Sequence, residues 1–353
     1  MLAVHQVPAA AARRDASALL QAAGLAGEVA SCVAAKLVES DLLGHATHGL
    51  ANLPMYLERV QSGAIATDGD IGIVSDTGAT FAWQANRLAG AWVLERAVQQ
   101  ALERGAQHPV VTVTIANCSH VGSLQTYLES IAHESRLALL MVSDPSFASV
   151  APFGGVDAAI TTNPFAAGIP TRGDPILIDQ CTSVASNSFI MQCAAAGKTL
   201  PGAWLIDACG RPTDDPRALL AQPGATISPL GGAEFGYKGF AFGLVVEAFA
   251  LALSGYGRRN APTRGGQGVF LQIIDPAAFA GRDAFLDETT ELVRRCKSSQ
   301  LAPGHSEIRL PGERALREKA RQLNEGLTLS AALITTLLRW AAQLGTPQAR
   351  FHI

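Results

Sequence analysis

Mixed α and β structure, with helical segments at the two ends of the chain around a sheet-rich middle, is the fold class this sequence predicts, and two observations carry it. Apolar residues recur every three or four positions before residue 43 and again after residue 277, the buried stripe of amphipathic helices. Between these regions lie short apolar and β-branched runs bounded by glycine, proline and asparagine, the mark of strands joined by turns. At 353 residues the chain exceeds the roughly 250 to 300 beyond which a single core stops growing, so two lobes are expected.

Taken in order, Leu19, Leu20, Leu25, Val29, Cys32, Val33 and Leu37 fall on helical faces, with Gly24 and Gly44 as natural stops, so two helices are predicted between Asp15 and Leu43. Leu88 to Glu103 reads as a helix, Val110 to Ile115 as a strand, Ser123 to His133 as a helix and Leu137 to Val142 as a strand. From Pro152 to Ile178, glycines and prolines alternate with short apolar runs, which predicts short strands and turns. Phe270 to Ile274 is a further strand, followed by helices at Ala277 to Lys297, Glu313 to Leu323 and Leu329 to Leu344. There is no fixed-period repeat and no Ser/Gly linker.

Composition narrows the function. Apolar residues are 48% and charged residues 16% of the chain, with a formal charge of -3; this suits a globular protein and supplies no basic stripe for nucleic acid. The segment after Arg13 and Arg14 is interrupted by Asp15, Gln21, Glu28 and Lys36 and lacks the clean apolar stretch of a signal peptide. The longest apolar run, Phe240 to Leu253, contains Glu247 and falls short of the ~20 residues a bilayer needs. A cytoplasmic protein with no membrane partner is therefore expected. Cys32, Cys118, Cys181, Cys193, Cys209 and Cys296 form no CxxC pair and read as reduced thiols.

The GxGxxG dinucleotide fingerprint is missing: Gly265-Gly266-Gln267-Gly268 stands before a strand instead of opening a helix after one. Pro229 to Gly239 resembles a Walker A loop only loosely, because Tyr237 separates glycine from Lys238 and Gly239 stands where a magnesium-binding hydroxyl belongs. Its glycines, Lys238 and an apolar helix beginning at Phe240 would make a phosphate cradle; a tight turn with a solvated lysine is the alternative. His45 and His48 lie three apart and on a helix could share a face toward a metal, though no third ligand is evident nearby. His120 follows a strand and ends at a glycine, a setting in which imidazoles do acid-base work near neutral pH.

Read together, these segments resemble the malate/L-lactate dehydrogenase family that is distinct from the Rossmann-type enzymes and includes ureidoglycolate, sulfolactate and diketogulonate enzymes and cyclic-imine reductases. The likeness spans nearly the whole chain. It rests on Ser40 to Gly49 with Tyr56 and Gly63, Ser119-His120-Val121-Gly122, Ala151 to Gly155, Thr162-Asn163-Pro164, Asp179 with Thr182-Ser183, Pro229 to Gly232 with Lys238-Gly239, and Leu310-Pro311-Gly312-Glu313. The resemblance implies an α+β fold, mainly an antiparallel sheet surrounded by helices, in a homodimer. It implies that residues 1–75 pack with 276–353 as a substrate and dimerisation lobe, and that 76–275 bind NAD or NADP. His48 and His120 fall on positions of the proton donor or acceptor. Thr47, Asn52, Tyr56 and Asp144 fall on the substrate site. His120, Asp144, Thr162, Asn163, Pro164, Asp179, Gln180, Cys181, Thr182, Ser183, Lys238, Gly239, Pro311, Gly312 and Glu313 fall on the cofactor site, with no metal.

The activity so implied is hydride transfer between nicotinamide and a small 2-oxo or 2-hydroxy acid-like compound, or a cyclic imine or amine, with a histidine as general acid or base. Three departures bear on the substrate. Leu43 and Asn52 stand where relatives carry arginine, and Asp144 stands where they carry asparagine; Thr47 replaces the usual serine and keeps its hydroxyl. Losing a guanidinium removes a two-pronged carboxylate grip, so a substrate less anionic than malate is expected, unless another basic residue rebuilds the carboxylate site. A catalytically silent nucleotide-binding relative and a metal-dependent hydrolase using His45 and His48 are the competing classes. Retention of His48, His120 and Lys238 opposes the first.

Overall fold

The computed structural model describes residues 4–260, 262 and 265–351. A short strand, β1 (Val4–Val7), leads into helices α1 (Ala9–Ala23) and α2 (Gly27–Leu42), and a single 3-10 turn then opens α3 (Leu53–Gln61). The leucines and valines that predict two helices before residue 43 are the ones buried here, among them Leu19, Leu20, Val33 and Leu37. After strands β2 (Gly72–Asp76) and β3 (Thr80–Gln84) come α4 (Gly90–Arg104), β4 (Val110–Cys118), α5 (Gln125–His133) and β5 (Leu137–Ser143). Val93, Leu94, Ala97, Val98 and Ala101 form the buried face of α4, at the spacing an amphipathic helix requires.

Strands β6 (Pro164–Ile169) and β7 (Ile176–Cys181) precede α6 (Asn187–Ala195) and three two-residue strands, β8 (Leu205–Ile206), β9 (Pro212–Thr213) and β10 (Thr226–Ile227). Then come α7 (Gly232–Val246), a π-helical continuation from Glu247 to Ala252, β11 (Gln267–Ile274), α8 (Arg282–Lys297), α9 (Glu313–Glu325), β12 (Leu327–Ser330) and α10 (Ala331–Gln343). The main sheet has seven strands in the order β2-β3-β4-β11-β5-β6-β7. Every pairing in it is antiparallel except β3 with β4. Val269, Leu271 and Ile273 of the central β11 pack into the core beneath α4 and α5. Phe270, on the opposite face, packs with Met141, Val246 and Ala250. Burial on both faces explains why β11 is an unbroken apolar run instead of an alternating one.

A second core gathers the two ends of the chain. Leu19, Val33, Leu53 and Leu57 pack with Leu327, Leu329, Ile334 and Leu337, and β1 pairs with β12 along its length. A third, smaller core holds Val150, Ile190, Leu205 and Ile227 around the three-stranded sheet.

Several sequence expectations change. The helix expected from Ala277 begins at Arg282 after a 3-10 turn, and the one expected from Leu329 begins at Ala331 because β12 occupies the preceding residues. Strand β2 carries no sequence signal since four of its five residues are exposed. The helix expected to begin at Phe240 begins at Gly232. Gly236, Gly239 and Gly243 sit on its buried face with Val246, so glycines that suggest a turn are instead a stripe of close packing within a helix. The stretch 232–252 is consequently a helix of 21 residues containing an 18-residue window of mean hydropathy 1.4, long and apolar enough by length and composition to cross a membrane, a longer run than the sequence alone predicts. Its Glu247 is tied into the fold by Ser143, Asn163 and Arg258.

Candidate active site

A cavity of about 450 Å³ opens where the turn after α2, the loop after β4 and the ends of β5, β6 and β7 converge. His45, Thr47, His48, His120, Asp144 and Asp179 contribute its polar groups, and Thr162, Pro164, Gln180, Cys181 and Ser183 line its length.

His48 reaches the cavity because α2 ends in a tight turn. The His48 N–H donates to the carbonyl of His45 at 2.8 Å, and the Leu50 N–H donates to the buried Asp41 carboxyl at 2.8 Å. A Cβ on Gly49 would lie 2.0 Å from Asp41 Oδ1, so a larger residue there must displace the carboxyl that holds the Leu50 N–H. Burial pushes the Asp41 carboxyl up to about 7, against the Leu50 N–H, which lowers it. Thr47 Oγ1 lies 2.9 Å from His48 Nδ1. Burial depresses the basicity of His48, Asp179 opposes that, and His45 adds to it.

His120 is delivered by β4. Its backbone lies against the start of α4, where a Cβ on Gly90 would be 2.0 Å from the Ser119 carbonyl oxygen; only a glycine admits that approach. The rings of His48 and His120 stack with centroids 6.0 Å apart and planes 15° from parallel. Tyr56, fully buried on α3, places its hydroxyl 2.9 Å from His120 Nδ1. Burial lowers His120 to about 3, with smaller contributions from His48 and Arg59. Asp179 accepts from Ser123 Oγ at 3.0 Å and from the Gln125 N–H at 2.9 Å. It thereby caps the first turn of α5 from the neighbouring strand, a favourable place for an acidic group.

The structure does not bring every expected residue to the cavity. Asn52 donates to the Thr47 carbonyl at 2.9 Å and shapes the His48 turn from outside the lining; Leu43 is fully buried. Tyr56 touches the cavity only through His120. Asn163 is buried and donates to Gly243 O and Glu247, anchoring the π-helical segment. Thr182 bonds the Thr162 carbonyl at 3.3 Å. Lys238 lies on the exposed side of α7, 5.2 Å and 5.8 Å from the Phe235 and Tyr237 rings. Gly239 is buried against the Leu230 backbone, and both residues lie within α7 instead of in a turn. Pro311 and Gly312 line a second cavity of about 380 Å³ that shares His45, Asp179 and Gln180 with the first. Glu313 faces away, paired with Lys297 at 2.5 Å. His45 bonds Gln125, and no metal-binding group of three or more ligands exists among the described residues.

Other groups here lack an individual sequence signal. Gln267 lines the cavity and accepts from the Val121 N–H at 2.9 Å; it lies in the glycine cluster set aside for want of a dinucleotide fingerprint. Ser186 lines the cavity and caps α6 through the Phe189 N–H, so the amino end of that helix opens on the site.

The sequence model of the family described as malate/L-lactate dehydrogenase matches residues 7–338. The chain is 32% identical over 340 residues to the L-lactate dehydrogenase of Cupriavidus necator, covering 94% of this chain and 96% of that one. It is 30% identical over 321 residues to the Delta(1)-pyrroline-2-carboxylate/Delta(1)-piperideine-2-carboxylate reductase of Pseudomonas syringae pv. tomato, covering 88% of each. The crystal structure of malate dehydrogenase from Entamoeba histolytica superposes with a TM-score of 0.92 at 23% identity over 98% of this chain and 99% of that one, which shows the shared fold.

Proposed function

Because the chain belongs to the malate/L-lactate dehydrogenase family, a family of NAD(P)-dependent dehydrogenases and reductases, we propose that it passes a hydride between a nicotinamide dinucleotide and a small imine or carbonyl compound less anionic than malate. One observation carries the choice of substrate. At its histidine end the site holds the stacked His48 and His120 beside Asp144 and Asp179, with no lysine or arginine among the described lining residues of that cavity, whereas Arg309 and Arg314 line the adjoining cavity beyond Asp179 and Gln180. Neither Asn52 nor Leu43 supplies a charge beside the histidines, so a neutral or amine-bearing C=N compound fits the field there better than a dicarboxylate. The reductase from Pseudomonas syringae is named for two cyclic imines that each carry a single carboxylate, one fewer than malate.

The residues suit a dinucleotide. Two cavities joined through His45, Asp179 and Gln180 give an elongated site, lined by Thr162 and Ser183 hydroxyls and ending at the amino terminus of α6, where a phosphate is favoured. When bound, the nicotinamide supplies or takes the hydride. His48 gives or takes the proton at the substrate heteroatom. The functional unit is a homodimer in this reading, because Phe235, Phe242, Leu244 and Phe249 leave an apolar face of α7 and its continuation exposed.

A thermal-shift titration with NADH and NADPH tests the cofactor, since a ligand binding only the folded state adds about 2.7 kcal/mol at a hundred times its Kd. A shift with one or both is expected, and no shift with either overturns the dehydrogenase reading. A substrate panel tests the rest. Faster turnover of malate, lactate or simple 2-oxo acids than of cyclic imines would overturn the substrate choice.

A further inference from the structure

His120 Nδ1 lies 2.9 Å from the Tyr56 hydroxyl and 3.3 Å from the Gly122 backbone nitrogen. A backbone N–H only donates, so Nδ1 meets it with a lone pair, and the proton of a neutral ring must then sit on Nε2. The Tyr56 hydroxyl lies 3.1 Å from the His120 carbonyl oxygen as well. Its single proton therefore faces two acceptors. Adding a proton to Nδ1 would set two N–H groups against each other. The titratable and charged groups around the ring are His48, stacked on it, and Tyr56 and Arg59 from α3; Asp144 and Asp179 line the same cavity, and neither hydrogen-bonds the ring. Nε2 makes no protein hydrogen bond among the described residues on a side chain that lines the cavity.

His48 is placed differently. Its Nδ1 faces the Thr47 hydroxyl at 2.9 Å, which can donate or accept, and although burial lowers its basicity, the charge of Asp179 opposes that. His48 can therefore pass between neutral and protonated states, whereas His120 is held in one.

We infer that the two histidines divide the chemistry: His120 is a fixed neutral hydrogen-bond donor, its Nε2–H set on the reacting heteroatom by Gly122 and by Tyr56 as a positioning residue, while His48 alone carries the proton. This rests on the hydride-transfer reading above. In reduction, the hydride's electron pair forms the new C–H bond and the nicotinamide is oxidised. The C=O or C=N π pair goes to the heteroatom, which takes the proton released by His48 as its N–H bond breaks. The His120 Nε2–H bond stays intact throughout and stabilises charge developing on the heteroatom.

Nitrogen NMR of the 15N-histidine protein without cofactor, assigned by difference with His120→Gln and His48→Gln, tests this. His120 should show an unprotonated Nδ1 and a protonated Nε2, unchanged from about pH 5 to about pH 8, while His48 titrates below the ordinary 6.5. A titrating His120, or one protonated at Nδ1, overturns the inference. In Tyr56→Phe the His120 Nδ1 resonance should move, and an unmoved resonance removes Tyr56 from the positioning role. In turnover, His120→Gln keeps an amide donor and should lose less than about tenfold in kcat, whereas His48→Gln should lose about 10²- to 10⁴-fold. Equal losses overturn the division. A chain with no nicotinamide-dependent turnover but a fixed His120 tautomer would overturn the dehydrogenase reading and leave the tautomer standing.

Discussion

His48 and His120 stack in parallel at 6.0 Å, close enough that two positive rings would repel by about 0.7 kcal/mol in water and about 3 kcal/mol at an effective dielectric near 20. One charge is therefore the most the pair holds, and His48, nearer the influence of Asp179, holds it. Burial sets its basicity below the ordinary 6.5. To accept a proton during oxidation His48 must be neutral, so kcat/KM for oxidation should fall as pH drops through that lowered value. Reduction needs the protonated ring and should weaken as pH rises through it. Pitting pH-rate profiles in both directions against His48→Gln checks this, and profiles that keep both limbs in the variant would refute it.

Gly90 governs where His120 sits. An added Cβ would meet the Ser119 carbonyl at 2.0 Å and the His120 carbonyl carbon at 3.0 Å, so Gly90→Ala must push the loop that carries the imidazole. Overpacking of this kind costs about 1 to 3 kcal/mol, and a misplacement near 1 Å costs on the order of 10²-fold in rate. Differential scanning calorimetry and kcat on the same preparation should show a modest fall in Tm with a larger fall in turnover. Unchanged kcat would place His120 outside the chemistry.

The histidines themselves are legible in the sequence because glycine-flanked turns mark both. What supports them is not, because it is distant along the chain: Tyr56 is 64 residues from His120, and Gln267 is 146 from Val121. The helices around the site are legible from apolar spacing, which burial enforces locally. Lys238 shows the limit of that reading. Its glycines suggest a turn, yet Gly236, Gly239 and Gly243 recur at helical spacing against buried partners, and tertiary packing decides in favour of helix. Leu43 and Asn52 show another, since position beside His48 in sequence does not make a side chain face the cavity.

Asp41 should make stability depend on pH. Its folded carboxyl is raised to about 7 from 3.8, so between those values the native state binds a proton that the unfolded chain does not. Its contribution is therefore fully present at low pH and is lost as pH rises toward 7. Asp41→Asn keeps an oxygen for the Leu50 N–H and cannot ionise. The Tm of the variant relative to the natural protein should rise from pH 5 to pH 8 (about the range in which the carboxyl titrates), and a difference that is flat or falling would contradict the raised value.

Asp144 should set the charge preference of the substrate. Its Oδ1 accepts from the Ser146 N–H at 2.9 Å and from Ser146 Oγ at 2.5 Å, which fixes the carboxyl at the cavity wall. Removing one unit of charge some 4 Å from a charged substrate is worth about 1 kcal/mol or more, roughly fivefold in kcat/KM. Asp144→Asn should lower kcat/KM for amine-bearing substrates and raise it for 2-oxo acids by about that factor. Parallel losses on both classes would show a structural role instead.

The exposed side of α7 and its π-helical continuation should be where two copies meet. Phe235, Phe242, Leu244, Phe249 and Leu253 are each between 41% and 59% exposed, whereas the opposite side is fastened to the sheet through Val246 and Ala250. Five large apolar side chains exposed on one helical segment suit an interaction site. A symmetric contact would bury the same residues twice, at about 25 cal/mol per Å² of apolar area. Sedimentation velocity should give a dimer for the natural chain and a monomer for the double variant Phe242→Glu, Phe249→Glu. Phe242 and Phe249 also lean edge-on against Phe165 and Phe270, so the far-ultraviolet circular dichroism of the variant is compared with that of the natural chain, and Leu253→Glu, at a residue 59% exposed, tests the contact with those ring pairs left in place. A natural chain that sediments as a monomer would refute the contact.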